Sequence, residues 1–168
     1  IERLENQGFS IQGKTCMVIG NGEMGKVTAL ALKEAGADVT VTVRQYRSGI
    51  VTIPQGCDRI NYGERLEFLP KCDLAVSATA SPNYTLTMEQ IENAEIPGHI
   101  VLIDLAVPRD IEPSAGTLSN VTLYDIDSFK INAVSPKLQA SLDQAGKILQ
   151  EQQEEFYSWY NGRDLIPR

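Results

Sequence analysis

Five apolar or β-branched residues, Thr15-Cys16-Met17-Val18-Ile19, run directly into Gly20-Asn21-Gly22-Glu23-Met24-Gly25, and no other stretch restricts the fold so tightly. The run has the length and composition of a buried strand. Beyond the glycines, Met24, Val27, Ala31, Leu32 and Ala35 recur at helical spacing, with Gly36 placed to end the helix. Residues 38–43 then alternate and are rich in Val and Thr, so a second strand begins about 20 residues after the loop. Strand, glycine turn, helix and strand in this order form a βαβ unit, whose two strands run parallel with a right-handed crossover.

Glycines in that setting carry a definite chemistry. Gly20 supplies a tight turn, Gly22 lets a pyrophosphate approach the main chain, and Gly25 lets helix and strand pack closely. The anion then rests on unsatisfied amides at the positive end of the helix dipole, which makes residues 20–25, with Asn21, Glu23 and Met24 among them, a dinucleotide-binding loop.

The remaining chain repeats the pattern. Residues 59–62, 74–77, 100–104 and 121–125 read as further strands, and helical stretches separate most of them. In residues 87–94, Thr87 can cap a helix while Gln90 reaches back to complete a capping box. The expected fold is α/β, a doubly wound Rossmann arrangement with a mainly parallel six-stranded sheet in the order 3-2-1-4-5-6. Residues 45–58 contain Gly49, Pro54 and Gly56 and show no clear helix, so the second crossover is expected to be a loop or a stub.

After Ser128 the character changes. Ser135-Pro136 is a good helix start, and Leu138, Leu142, Ala145, Leu149, Phe156 and Trp159 follow at steps of four and three if Gln152 is counted in the seam, before Asn161-Gly162 stops the run. The expected division is a nucleotide-binding domain over residues 1–130 and a long C-terminal helix within 131–168. That stripe packs either on its own sheet or on another domain or subunit.

Composition removes several function classes. A chain of 168 residues can bury one good core with an appendage. Its net charge of -7 excludes a broad nucleic-acid surface, which needs clustered Lys and Arg. No stretch approaches the roughly 18 apolar residues of a membrane span, and the start of the sequence lacks the layout of a signal peptide, so a soluble, cytoplasmic chain is expected. Cys16, Cys57 and Cys72 fit neither a disulfide framework nor a metal site. Cys16 reads as a small buried hydrophobe, and the single histidine, His99, as structural or exposed. No metal is expected and no catalytic residue is assigned.

Cofactor choice is read where the second strand ends. An NAD site usually places an acid there, whereas this chain has Val43-Arg44-Gln45-Tyr46-Arg47-Ser48. A guanidinium can hold a 2'-phosphate bidentately, so Arg44 and Arg47 point to NADP(H); the alternative is two solvated arginines. Tyr46 is either a platform for adenine or a surface aromatic. At the end of the fourth strand Ser77, Thr79 and Ala80 are small where the cofactor crosses the sheet, and Ala106 leaves the fifth strand on the nicotinamide side. Asp104 and Arg109 would either form an ion pair that fixes this last loop or act in catalysis.

Together the Gly-Lys-Thr triplet before the first strand, the loop GNGEMG, and then SATASP, LIDLAVPRDIEP and LYDID resemble, in order, segments of the NADP-binding domain of glutamyl-tRNA reductases, over most of residues 13–128. LIDLAVPRDIEP is the most specific, because dinucleotide-binding domains at large do not share it. The long helix, with Phe156, Trp159 and Ile166-Pro167, is similar to the family's spinal helix, which leads to a dimerisation domain. The resemblance implies an NADPH-dependent reductase of tetrapyrrole (porphyrin) biosynthesis. Hydride goes to the thioester formed when a cysteine attacks glutamyl-tRNA, releasing glutamate-1-semialdehyde. That cysteine, the tRNA-binding surfaces and the homodimer contacts belong to other domains in the family, so this chain would hold the reductant without completing the reaction. Departures are the shortened second crossover, Asn83-Tyr84 where a histidine is expected, and a long helix whose start lacks an Asn/Arg pattern. Three alternatives stay open: a dehydrogenase of the shikimate-dehydrogenase-like group, a siroheme-type dehydrogenase, and a non-catalytic dinucleotide-sensing module.

Overall fold

A computed structural model describes residues 1–44, 53–129, 149, 150, 152–154, 156 and 157. The chain divides into two compact units, Ile1–Phe129 and Lys130–Arg168. In the first, a short helix α1 (Glu2–Asn6) precedes six strands, β1 (Thr15–Ile19), β2 (Asp38–Val43), β3 (Asp58–Asn61), β4 (Leu74–Ser77), β5 (Ile100–Asp104) and β6 (Val121–Asp125). They form one sheet in the order β3-β2-β1-β4-β5-β6, every neighbouring pair parallel. This is the expected doubly wound topology, with the third strand one residue earlier than its expected start.

Both faces of the sheet are covered, as a parallel sheet requires. Successive residues of β1 point to opposite sides, so Cys16 and Val18 join Val39, Val41 and Val76 in one core while Met17 and Ile19 join Ala75, Leu102 and Ile91 in the other. Helix α2 (Glu23–Glu34) lies on the first face through Gly25, Ala29 and Leu32. Met24 and Val27, part of the apolar spacing in the sequence, are instead 54% and 61% exposed. The close approach at Gly25 turns the helix so that Gly25, Ala29 and Leu32 meet the sheet and Met24 and Val27 face away from it. Gly36, at φ +86°, ends the helix in the left-handed conformation expected of it.

The second crossover has no helix over residues 53–57, in keeping with the expected loop, while residues 45–52 lie outside the described set. Past β3, a 3-10 turn (Tyr62–Glu64) leads into the single turn of α3 (Arg65–Phe68). Helix α4 (Met88–Asn93) starts on the expected capping box: Thr87 Oγ1 accepts from the Gln90 amide and Gln90 Oε1 accepts from the Thr87 amide. In the second unit the described residues are helical, and the Phe156 and Tyr157 rings meet edge to face at 5.9 Å. The rest of the expected long helix, from Ser135 to Trp159, falls largely outside the described residues. No helix among those described is long and apolar enough to cross a membrane.

Candidate functional site

The three loop glycines meet three different surroundings. At Gly20, with φ +107°, a side-chain carbon would stand 2.7 Å from the Ala78 carbonyl oxygen. At Gly25 it would stand 2.1 Å from the carbonyl oxygen of Gly20, so strand and helix are in backbone contact there. At Gly22 it would meet nothing within 4 Å. The Gly20 amide is already engaged, donating to Thr42 Oγ1 at 3.2 Å. Gly22 itself is the N-cap of α2 and no side chain caps that helix, which leaves first-turn amides facing outward for an anion.

Above this junction lies a cleft of about 340 Å³. One wall is Gly20, Asn21 and Gly22; β2 contributes Thr42 and Arg44 stands just past its end; Tyr62 follows β3; and Ala78, Thr79, Ala80 and Ser81 close the other side. Small side chains and open backbone give a slot that fits a dinucleotide at the switch point between β1 and β4. Among the residues expected from sequence, the cleft brings together Gly20, Asn21, Gly22, Arg44, Thr79 and Ala80. Glu23 is exposed and pairs with Lys26 at 3.4 Å, Met24 is exposed, and Gly25 is buried under the turn. Arg47 and Tyr46 lie outside the described residues. Ala78 and Ser81 belong to the small-residue segment SATASP read from the sequence. Thr42 and Tyr62 were not singled out, and only the position of Thr42 at the end of an alternating Thr/Val strand carried any signal for them.

Ser77 is buried and does not line the cleft. Its hydroxyl donates to Asp110 Oδ2 at 2.7 Å, while Thr79 reaches the same carboxylate twice, through its amide at 2.8 Å and its hydroxyl at 2.7 Å. Asp110 is fully buried, so these donors supply the hydrogen bonds that a buried carboxylate needs. Its carbonyl oxygen in turn accepts from the Thr85 amide at 2.6 Å. Asp104, at the end of β5, accepts from the amides of Ala106, Asp110 and Ile111 at 3.0, 2.9 and 2.8 Å. Burial pushes its carboxyl above the ordinary range, and those three bonds offset only part of the rise.

The Asp104–Arg109 ion pair considered from sequence is not formed. Asp104 is turned inward onto backbone amides, and Arg109 pairs instead with Asp125 at the end of β6. A second, smaller recess beside β5 is lined by Ala106, Val107, Pro108 and Arg109 together with Asp104, Asp125, Ile126 and Asp127. Ala106 thus stands at this recess and not in the cleft above the glycines. Cys16 and Cys72 are buried and burial pushes both thiols up to about 12, which suits packing and not nucleophilic attack. His99 is exposed and bonds Thr122 Oγ1 at 2.7 Å. Among the described residues no group of His, Cys, Asp and Glu could hold a metal ion.

With the fold and cleft in place, similarity to known proteins is informative. The family model described as Shikimate / quinate 5-dehydrogenase matches residues 3–131. Glutamyl-tRNA reductase of Acetivibrio thermocellus is 44% identical over 150 residues, 89% of this chain and 45% of that protein. The probable multifunctional siroheme biosynthesis protein HemA of Ruminiclostridium josui is 45% identical over 121 residues, 72% of this chain and 23% of that protein. Among solved structures, glutamyl-tRNA reductase from Methanopyrus kandleri matches with a TM-score of 0.70 at 28% identity, over 95% of this chain and 41% of that one. The chain therefore spans less than half the length of these relatives. By the extent of these matches it belongs to the shikimate / quinate 5-dehydrogenase family, and within that family its sequence resembles glutamyl-tRNA reductases.

Proposed function

We propose that this chain is the NADPH-holding part of a cytoplasmic glutamyl-tRNA reductase-like oxidoreductase that serves tetrapyrrole biosynthesis. Bound NADPH would supply the hydride that reduces a glutamyl thioester to glutamate-1-semialdehyde. The tRNA contacts and a homodimer interface are proposed for regions that the longer relatives possess, and residues 131–168 for the link towards them. In this reading the pyrophosphate lies over residues 20–22 and the first-turn amides of Glu23, Met24 and Gly25. Arg44, helped by Arg47, takes the 2'-phosphate. Thr79 and Ala80 form the wall opposite, Ser77 supports that wall from behind, and Ala106 stands at the recess towards which the nicotinamide end would extend.

The observation that carries the reading is that Gly22, open on its outer side, and Arg44, an exposed guanidinium, line one cleft. Titration by nicotinamide fluorescence tests it: Arg44→Ala should weaken NADPH about tenfold or more while leaving NADH nearly unchanged, since only the former carries the phosphate. Equal losses for both would remove the 2'-phosphate assignment. Substrate is tested separately, by assaying the longest protein containing this chain for NADPH-dependent reduction of glutamyl-tRNA. NADP-dependent oxidation of shikimate in its place would favour the other branch of the family.

A further inference from the structure

Arg44 does not face the cleft as a free side chain. Its guanidinium carbon stands over the Tyr62 ring at 4.7 Å from the centroid, and the guanidinium carbon of Arg65 stands over the same ring at 4.1 Å. Arg65 is fixed, with Nε donating to the Thr85 carbonyl at 2.9 Å and Nη1 to the Tyr62 carbonyl at 3.1 Å. Tyr62 is fixed too: it opens the turn capped by Asn61 and Glu64, and the Asn61 amide donates to Glu64 Oε2 at 2.7 Å. Arg44, by contrast, makes no ion pair with a described residue, so the ring is the contact that orients it.

We propose that Tyr62, clamped by Arg65, is a specificity-determining residue that holds Arg44 ready for a ribose 2'-phosphate. The inference rests on the reading of Arg44 as the ligand of that phosphate. A long exposed arginine loses rotamer freedom on binding an anion, and stacking on a fixed aromatic face removes part of that loss beforehand. The negative face of the ring also lets two guanidinium groups stand close together, which concentrates positive charge at one corner of an otherwise acidic chain. Tyr62 acts through Arg44, so its removal should move selectivity and not dinucleotide binding at large.

The test measures NADPH and NADH dissociation constants by nicotinamide fluorescence for the 168-residue chain and its Tyr62→Leu, Tyr62→Phe, Arg65→Met and Arg44→Ala variants, with circular dichroism as the check of folding. Tyr62→Leu should weaken NADPH about fivefold and leave NADH within about twofold; Tyr62→Phe, which keeps the ring, should behave as the parent. If Tyr62→Leu does not fold, Arg65→Met, which releases the clamp, should lower the NADPH preference about threefold. Equal weakening of both dinucleotides by Tyr62→Leu overturns the proposal, because the ring would then serve adenine or the fold. Full selectivity in Tyr62→Leu alongside lost selectivity in Arg44→Ala also overturns it while the phosphate reading survives. Unchanged selectivity in Arg44→Ala overturns both.

Discussion

On the β1 side of the cleft the wall is bare backbone, with Gly22 open and Arg44 exposed beyond it, whereas on the β4 side Thr79 is tied through amide and hydroxyl to the fully buried Asp110. The first side leaves main-chain donors unsatisfied, so they remain available to a ligand. On the second side almost every polar group is consumed internally: Ser77, Thr79 and Thr85 bond Asp110, and the Asp110 amide bonds Asp104. A slot for an anionic cofactor needs this division, because the open side can adapt to the pyrophosphate only if the opposite wall does not move.

The sharpest way to break the comparison lies within the open side itself, where the same substitution three residues apart should have opposite effects. Gly25→Ala places a carbon 2.1 Å from the Gly20 carbonyl oxygen, so α2 must leave the sheet. It is expected to cost more than about 4 kcal/mol, a large share of a domain's stability, as measured by urea unfolding. Gly22→Ala meets nothing within 4 Å and should change stability by less than about 0.5 kcal/mol while weakening NADPH at least about tenfold. A stable Gly25→Ala, or a Gly22→Ala with parental affinity, would show that the loop does not divide its labour in this way.

The next largest effect belongs to the closed wall. Asp110→Ala strands the Thr79 amide and hydroxyl and leaves the Ser77 hydroxyl only its contact with Thr85 Oγ1, and should cost about 3 kcal/mol by urea unfolding. Unlike Arg44→Ala, it should weaken NADPH and NADH by the same factor, because the wall it loosens contacts parts common to both. A selective loss in Asp110→Ala would place the 2'-phosphate on the wrong side of the cleft.

The same contrast decides what could be read from the amino-acid order. The topology and the glycine loop were legible, since strand length, helical spacing and the Gly20, Gly22 and Gly25 positions are local signals. The capping box of Thr87 and Gln90 is local as well, and formed as expected. The role of Asp110 was not legible even though it lies within LIDLAVPRDIEP, because its partners Ser77 and Thr79 lie more than thirty positions away and nothing local shows that the carboxylate is buried. Nor was the pairing of Arg109 with Asp125, where proximity in sequence favoured Asp104 but the parallel register of β5 and β6 brings Asp104 and Asp125 side by side and burial claims the former for amides. Tyr62 escaped because it reads as the end of an edge strand, and only the fold carries it to Arg44.

The smallest expected effect uses those register partners, Asp104 and Asp125, whose carboxyl groups are shifted in opposite directions. Burial lifts Asp104, so between the ordinary carboxylate value and the raised one the folded chain keeps a proton that the unfolded chain has released, and stability falls as pH rises through that window. The Ser128 hydroxyl and amide hold Asp125 below the ordinary value, so its contribution is present above that value and is lost as pH falls towards the lowered one. Asp104→Asn should flatten the descending limb above the ordinary value by at most about 1.4 kcal/mol per pH unit, the limit for one proton, whatever it does to absolute stability. Asp125→Asn should flatten only the acid limb. Urea midpoints collected every half pH unit from about 3 to 7 separate the two, and a variant that changes the other residue's limb would mean the pair titrates as one site instead of two neighbours in different surroundings.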